Sequence, residues 1–189
     1  MSNEVYKLNA KAITSIDKFN GKTDANIEKI NGKTLIEHSI DYAKNCEYVN
    51  DIILSSESRD VISMAIVNGV KGMIRGKELC GDAEVTDVYI DVLNSIPEKY
   101  DYVVCLQPDH PDREHTLKYC IDYMIENNYD DVITIEPNFK RSGSVRIFKY
   151  KHLLNSNVSK RIGCIKDDAT DIHYQEDLER ARKRLWYKL

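Results

Sequence analysis

The amino-acid sequence predicts an α/β protein, a single domain over residues 1–189 with a largely parallel sheet covered by helices on both faces. Three observations lead there. Short apolar runs alternate with stretches of helical periodicity along most of the chain, and strands joined through helices make right-handed crossovers that pair them in parallel. The run Tyr102-Val-Val-Cys-Leu106 reads as a buried strand that stops abruptly in a polar, proline-broken segment, the place where open α/β sheets hold their ligands. A length of 189 residues suffices for one well-buried core.

In order, Lys11-Ala-Ile-Thr-Ser15 is a short first strand, and a polar segment over residues 16–30 follows it. Loops of that length in compact domains are usually functional or disordered. Asn31-Gly-Lys-Thr34 makes a turn, and the Thr34 side chain caps a helix whose apolar face is Leu35, Ile36, Ile40 and Ala43. Asp51-Ile-Ile-Leu-Ser55 is a buried strand. Ser58 caps the next helix, in which Val61, Ile62, Ala65 and Ile66 repeat at helical spacing until Gly69 closes it. Residues 70–74 read as another strand and 75–82 as a loop, with Asp82 capping a helix that turns Val85, Val88, Tyr89, Val92 and Ile96 to the core. After the strand ending at Leu106, Leu117, Cys120, Ile121, Met124 and Ile125 define an amphipathic helix. Asp131-Val-Ile-Thr-Ile-Glu136 is a strand ended by Pro137, and Ser144-Val-Arg-Ile-Phe-Lys149 alternates like a half-exposed one. A last helix from near Gln175 carries Leu178, Ala181 and Leu185 inward, and its cations gather toward the carboxyl end as a solvated face.

Composition excludes several functions. A formal net charge of -4 argues against a general nucleic-acid binder, while leaving room for a local basic pocket. No apolar run is long enough to cross a bilayer, and Met1-Ser-Asn-Glu4 lacks the character of a signal peptide, so a cytoplasmic location is expected. The five cysteines are scattered without a Cys-x-x-Cys pair, which excludes a zinc site or disulfide frame.

The proline-locked turn after Leu106 concentrates the chemistry. Pro108 and Pro111 cannot continue a central strand, and each biases its predecessor away from helix. Gln107, Asp109, His110, Asp112 and Arg113 are therefore held at the carboxyl end of a buried strand. A carboxylate there is a natural ligand for Mg²⁺ together with substrate phosphates.

Several segments jointly resemble the nucleotidyltransferases that activate sialic acid and related sugar acids with CTP. Asn26-Ile-Glu-Lys-Ile-Asn-Gly-Lys-Thr-Leu-Ile36 is similar to that family's Lys-Asn-Ile…Asn-Gly-Lys-Pro-Leu-Ile segment. Arg75-Gly-Lys-Glu-Leu-Cys-Gly-Asp82, followed by Asp87, resembles its Arg-Pro…Leu-Ala…Asp loop. Leu106-Gln-Pro-Asp-His-Pro-Asp-Arg113 resembles Leu-Gln-Pro-Thr-Ser-Pro-Leu-Arg, and Asp171-Ile-His-Tyr-Gln-Glu-Asp-Leu178 resembles Asp-Ile-Asp-Thr-x-Glu-Asp-Leu. The resemblance implies a three-layer α/β/α Rossmann-like fold, the nucleotide-diphospho-sugar transferase fold shared with GT-A glycosyltransferases. It implies transfer of CMP from CTP to a sugar acid or smaller anionic acceptor in surface-polysaccharide metabolism, with release of pyrophosphate, and a possible homodimer.

Roles carry over by position. Ser15, Asn26, Arg75, Asp82 and Gln107 would form the nucleotide pocket, with Lys18, Lys22, Arg75 and Asp109 in catalysis. Asp109, Asp171 and His173 would hold Mg²⁺ or Mn²⁺, the histidine favouring the softer ion. Where relatives carry Ala-Arg-x-Gly-Ser-Lys, Ser15-Ile-Asp-Lys-Phe-Asn20 has neither the glycines nor the arginine. The long acceptor-binding excursion of relatives is reduced to Pro137-Asn-Phe-Lys140, leaving Lys140, Arg141 and Arg146 for a small anionic acceptor. Two alternatives stay open: a catalytically degenerate nucleotide-binding or interaction protein of the same fold, and a GT-A glycosyltransferase.

Overall fold

The computed structural model describes residues 10–15, 29–81, 83–155 and 161–187. The first strand, β1 (Ala10–Ser15), lies inside the sheet. A two-residue ribbon, β2 (Lys29–Ile30) and β3 (Lys33–Thr34), turns through Asn31 and Gly32, both at positive φ, and feeds helix α1 (Leu35–Lys44). Thr34 is its N-cap as expected. The Glu37 N–H donates to Thr34 Oγ1 at 3.2 Å while the Thr34 N–H donates to Glu37 Oε2 at 2.7 Å, closing a reciprocal capping box.

Then come β4 (Val49–Ser56), α2 (Arg59–Val67), β5 (Lys71–Ile74), α3 (Val85–Asn94) and β6 (Tyr102–Leu106). The second half holds α4 (Leu117–Glu126), β7 (Asp131–Ile135), β8 (Arg141–Lys149), α5 (Tyr150–Leu154), β9 (Ile162–Lys166) and α6 (Gln175–Trp186). Sequence periodicity identifies most of these and misses α5 and the ribbon, which are too short to show a period, and β9, which offers only Ile165 among its large apolar side chains to the core. Three local expectations are corrected. Ile66 points to solvent at 63% exposure, Glu84 rather than Asp82 occupies the N-cap of α3, and β8 is an interior strand, buried at five of its nine positions.

Seven strands form the sheet in the order β5-β4-β1-β6-β8-β7-β9. All neighbours pair in parallel except β8, antiparallel to both β6 and β7. Alternation along the strands sends side chains to two cores. Ala12, Val104, Leu106, Val132 and Ile147 face Leu117, Cys120, Ile121 and Met124 of α4. Ile13, Val103, Cys105 and Phe148 face Tyr89, Val92 and Leu93 of α3 on the other side. Helices α1 and α2 pack over Leu54, and α6 covers Leu35 and Ile30 through Leu178 and Ala181. The result is the three-layer α/β/α arrangement that the sequence predicts.

One feature of the topology selects a position for a ligand. From β1 the chain proceeds outward to β4 and β5, then returns to place β6 on the opposite side of β1. Both strands end at the same edge of the sheet, and the carboxyl edge beside a reversal of strand order is where open α/β sheets hold their ligands.

Candidate active site at the carboxyl edge of the sheet

In the β1–β6 register Thr14 lies opposite Leu106, so the backbone of Ser15 and the loop beginning at Gln107 emerge side by side. That loop is braced from below. The Arg113 side chain is buried and donates to the carbonyls of Gln107 at 2.6 Å and Ser144 at 3.0 Å, with its guanidinium 4.8 Å from the centre of the Tyr42 ring. Its burial lowers its pKa from the ordinary arginine value, and the bonded carbonyls and the ring face compensate the desolvated charge.

A second set of bonds fastens residues 167–172 to the same loop. The Ile172 N–H donates to the Asp109 carbonyl at 3.1 Å. Asp112, 1% exposed, accepts from the Thr170 N–H at 2.7 Å, from the Thr170 hydroxyl at 2.8 Å and from Arg184 Nε at 2.8 Å. Asp167, also buried, accepts from the N–H groups of Glu114 and Ala169 and from the Ser144 hydroxyl. Arg184 of α6 is thus an anchor of the site, and the expectation that the cations of this helix form only a solvated face is corrected at that residue.

These fasteners bring Asp109 and Asp171 together, as the sequence anticipates. Ligand atoms of Asp109, His110 and Asp171 all lie within 4.8 Å of one another. His110 Nδ1 is 2.7 Å from Asp109 Oδ1, and its Nε2 is 4.0 Å from Asp171 Oδ1. His173 stands outside this group and bonds the other Asp171 oxygen at 2.8 Å. Of the three residues expected to hold a metal, Asp109 and Asp171 lie in this group beside His110, and His173 lies outside it. Asp171 Oδ1 is buried without a hydrogen-bond partner, an acceptor left for a cation. Two carboxylates, one with an orphaned inward oxygen, and an imidazole fit a divalent ion.

Other predicted residues fall around this centre. Arg75 follows β5 at the same edge of the sheet, buried, with Nη2 donating to Glu57 at 3.0 Å. Gln107 lines a cleft of about 160 Å³ with Thr86, Tyr89, Ser142, Arg141 and Arg146. The Arg146 guanidinium is forked on Asp131 at 2.7 and 3.2 Å, whereas Arg141 is exposed. Lys140 sits on the exposed turn joining β7 to β8, where the Glu136 N–H donates to its carbonyl at 2.8 Å. Lys18, Lys22, Asn26 and Asp82 lie outside the described residues, as does the side chain of Ser15. No helix among the described residues is long and apolar enough to cross a membrane.

The sheet order and the flanking helices define the nucleotidyltransferase fold. Within it, the chain belongs to the cytidylyltransferase family, which it matches over residues 19–182. It is 32% identical over 99 residues to a pseudaminic acid cytidylyltransferase of Campylobacter jejuni subsp. jejuni serotype O:2. That match takes in 49% of this chain and 43% of the relative, so less than half of the relative's length is represented. Among solved structures it is similar to a CMP:2-keto-3-deoxy-manno-octonic acid synthetase complexed with CTP, with a TM-score of 0.73 and 14% identity over 96% of this chain and all of the other. A Mycobacterium tuberculosis H37Rv protein in complex with manganese superposes with a TM-score of 0.67 and 12% identity, over 93% of this chain and 98% of the other.

Proposed function

We propose that the chain transfers CMP from CTP to a sugar acid or a smaller anionic acceptor and releases pyrophosphate, in the cytoplasmic synthesis of surface-polysaccharide precursors. The observation that carries this reading is the approach of Asp109, His110 and Asp171, whose ligand atoms lie within 4.8 Å of one another at the carboxyl end of the sheet. The relatives named above act on acids of this kind, and the manganese-bound neighbour favours Mn²⁺ or Mg²⁺ as the ion.

The bond that forms joins an acceptor oxygen to the α-phosphorus of CTP, and the bond that breaks releases pyrophosphate. Such transfers need in-line positioning and neutralised charge rather than covalent help from the protein. A divalent ion held by the two carboxylates supplies part of that neutralisation. Lys18 and Lys22 supply the rest toward the triphosphate, while Ser15, Asn26, Asp82, Arg75 and Gln107 hold the nucleotide. The acceptor's acid group enters the cleft beside Gln107, where the amino-terminal end of α3 and the exposed Arg141 favour an anion. Arg146 and Lys140 extend that basic side, with Glu84 also lining the cleft as a limit on how much negative charge it takes. Two copies of the chain would supply a second route to acceptor contacts, which the short Pro137–Lys140 turn no longer provides.

A second reading, a nucleotide-binding protein without turnover, is favoured by the absence of a glycine-rich phosphate loop in Ser15-Ile-Asp-Lys-Phe-Asn20. Pyrophosphate release from CTP with a panel of sugar acids and small acidic acceptors separates the two. The proposal predicts release with at least one acceptor and its loss, with loss of the metal-dependent melting shift, in Asp109→Ala. A melting shift with CTP but no release with any acceptor supports the second reading, and a shift with nucleotide-sugars alone supports a glycosyltransferase.

A further inference from the structure

We infer that the acceptor is a small zwitterion, a short-chain molecule with one acid group and one ammonium group, and that Glu84 selects it by binding the ammonium. The inference rests on the transfer reading above and deepens it by naming the charge pattern and the size of the acceptor.

The cleft beside Gln107 carries charges of both signs. Arg146 lines it, but its guanidinium is forked on Asp131 and lies 4.3 Å from the centre of the Phe148 ring, so its charge is answered within the protein. Glu84 and Arg141 line the same cleft and are both exposed. Among the described residues, neither side chain forms an ion pair with the other or with a third group. One carboxylate and one guanidinium thus border a common space without meeting. A simple acid would satisfy Arg141 and be opposed by Glu84, and a simple amine would meet the reverse. A molecule that carries both charges satisfies both sides, so the cleft discriminates by the pattern of charge as well as by its sum.

Placement in the fold says which end goes where. Glu84 is the N-cap of α3 and makes no side-chain bond to its helix, so its carboxylate is not occupied by capping. Arg141 opens β8 and Gln107 follows β6, the neighbouring strand, with the Gln107 amide lying against Gly143. The Gln107 NH₂ can therefore donate to an acid group held by Arg141. That group is ionised and supplies the attacking oxygen itself: its bond to the α-phosphorus forms as pyrophosphate leaves with the electron pair, and no proton has to be taken from the acceptor. Size agrees with charge. The cleft measures about 160 Å³, below the roughly 300 Å³ at which pockets for drug-sized ligands begin. The turn from β7 to β8 is closed on itself, the Phe139 N–H donating to the Glu136 carbonyl at 2.9 Å and the Lys140 N–H to Asn138 Oδ1 at 2.8 Å. An acceptor with about two to four carbons suits such a space better than a sugar acid does.

The test measures pyrophosphate release from CTP, and calorimetric binding in the presence of the α,β-methylene analogue of CTP. The compounds are 2-aminoethylphosphonate, phosphoethanolamine and β-alanine, each beside its N-acetyl form, together with sialic acid. At least one free amine should be bound and turned over with a KM roughly three- to tenfold below that of its N-acetyl form. The phosphorus acids and β-alanine distinguish the two kinds of acid group. Glu84→Gln should erase the preference by raising KM for the free amine, with kcat and the N-acetyl form nearly unchanged, whereas Arg141→Gln should weaken both forms. Release of pyrophosphate with the N-acetyl forms or sialic acid in preference to every free amine would overturn the inference and leave the transfer reading standing. A preference for the free amine that persists in Glu84→Gln would do the same. Glu84-dependent binding of a free amine without release would support the acceptor assignment and remove turnover. Neither binding nor release with any compound would overturn both.

Discussion

Gly143 shows how a single residue can be fixed by a side chain far away in sequence. A Cβ built there would fall 1.2 Å from Gln107 Oε1, so any larger residue must displace the Gln107 side chain from the cleft it lines with Arg141. Misplacing a positioning group by about an ångström costs up to roughly a hundredfold in rate. Gly143→Ala is therefore expected to lower kcat/KM for pyrophosphate release by about one to two orders of magnitude in a protein that still folds. Unchanged kinetics would remove Gln107 from the site. The sequence signals Gln107 and Asp109 through the prolines beside them, but Arg-Ser-Gly-Ser144 reads as a plain polar stretch, because nothing local encodes the neighbour that demands glycine. The same holds for His110 and His173. One stands beside Asp109 and the other stands two residues after Asp171, and only the fold decides which is buried.

At the scale of the element, helix starts separate into those the sequence specifies chemically and those it merely permits. Thr34 and Glu37 bond reciprocally at the head of α1, whereas Ser58 occupies the N-cap of α2 without a side-chain bond to it. Thr34→Ala should cost about 1 kcal/mol in denaturant unfolding and Ser58→Ala less than about 0.5 kcal/mol. Hydrogen bonding from the Thr34 backbone lowers the Glu37 pKa from the ordinary carboxylate value. A folded pKa below the unfolded one stabilises the protein above the usual carboxylate range, and that contribution fades as pH falls through the folded value. The acid limb of stability should therefore be shallower in Glu37→Gln than in the wild type; an identical limb would show the box to be energetically silent. Capped, periodic helices such as α1 and α4 were legible for this reason. The edge strand β9 was not: it offers only Ile165 to the core and exposes Ile162, so its place is set by pairing with β7 rather than by its own pattern. Strand β8 alternates in sequence, yet its neighbours β6 and β7 and the helices on both faces bury most of it.

The whole molecule explains why residues from distant parts of the chain meet. Reversal of strand order at β1 places β6 beside it, and the ladder of Asp112, Thr170 and Arg184 draws the entrance of α6 onto the loop after β6. Asp112 stands where the resembling motif has an apolar leucine, so this ion pair belongs to the architecture of this chain, and removing Arg184 would leave the buried Asp112 carboxylate without its cation. The parallel sheet could be argued from alternating elements, and the meeting of Asp109 with Asp171 from motif order. The ladder could not, because its members carry no local signal beyond their charge. The central claim is that these connections build one metal and nucleotide site. Anomalous scattering from crystals grown with CTP and Mn²⁺ tests it most directly. The account predicts a manganese peak shared by Asp109 and Asp171 and touching the triphosphate; a peak elsewhere, with CTP away from the carboxyl ends of β1 and β6, would contradict it.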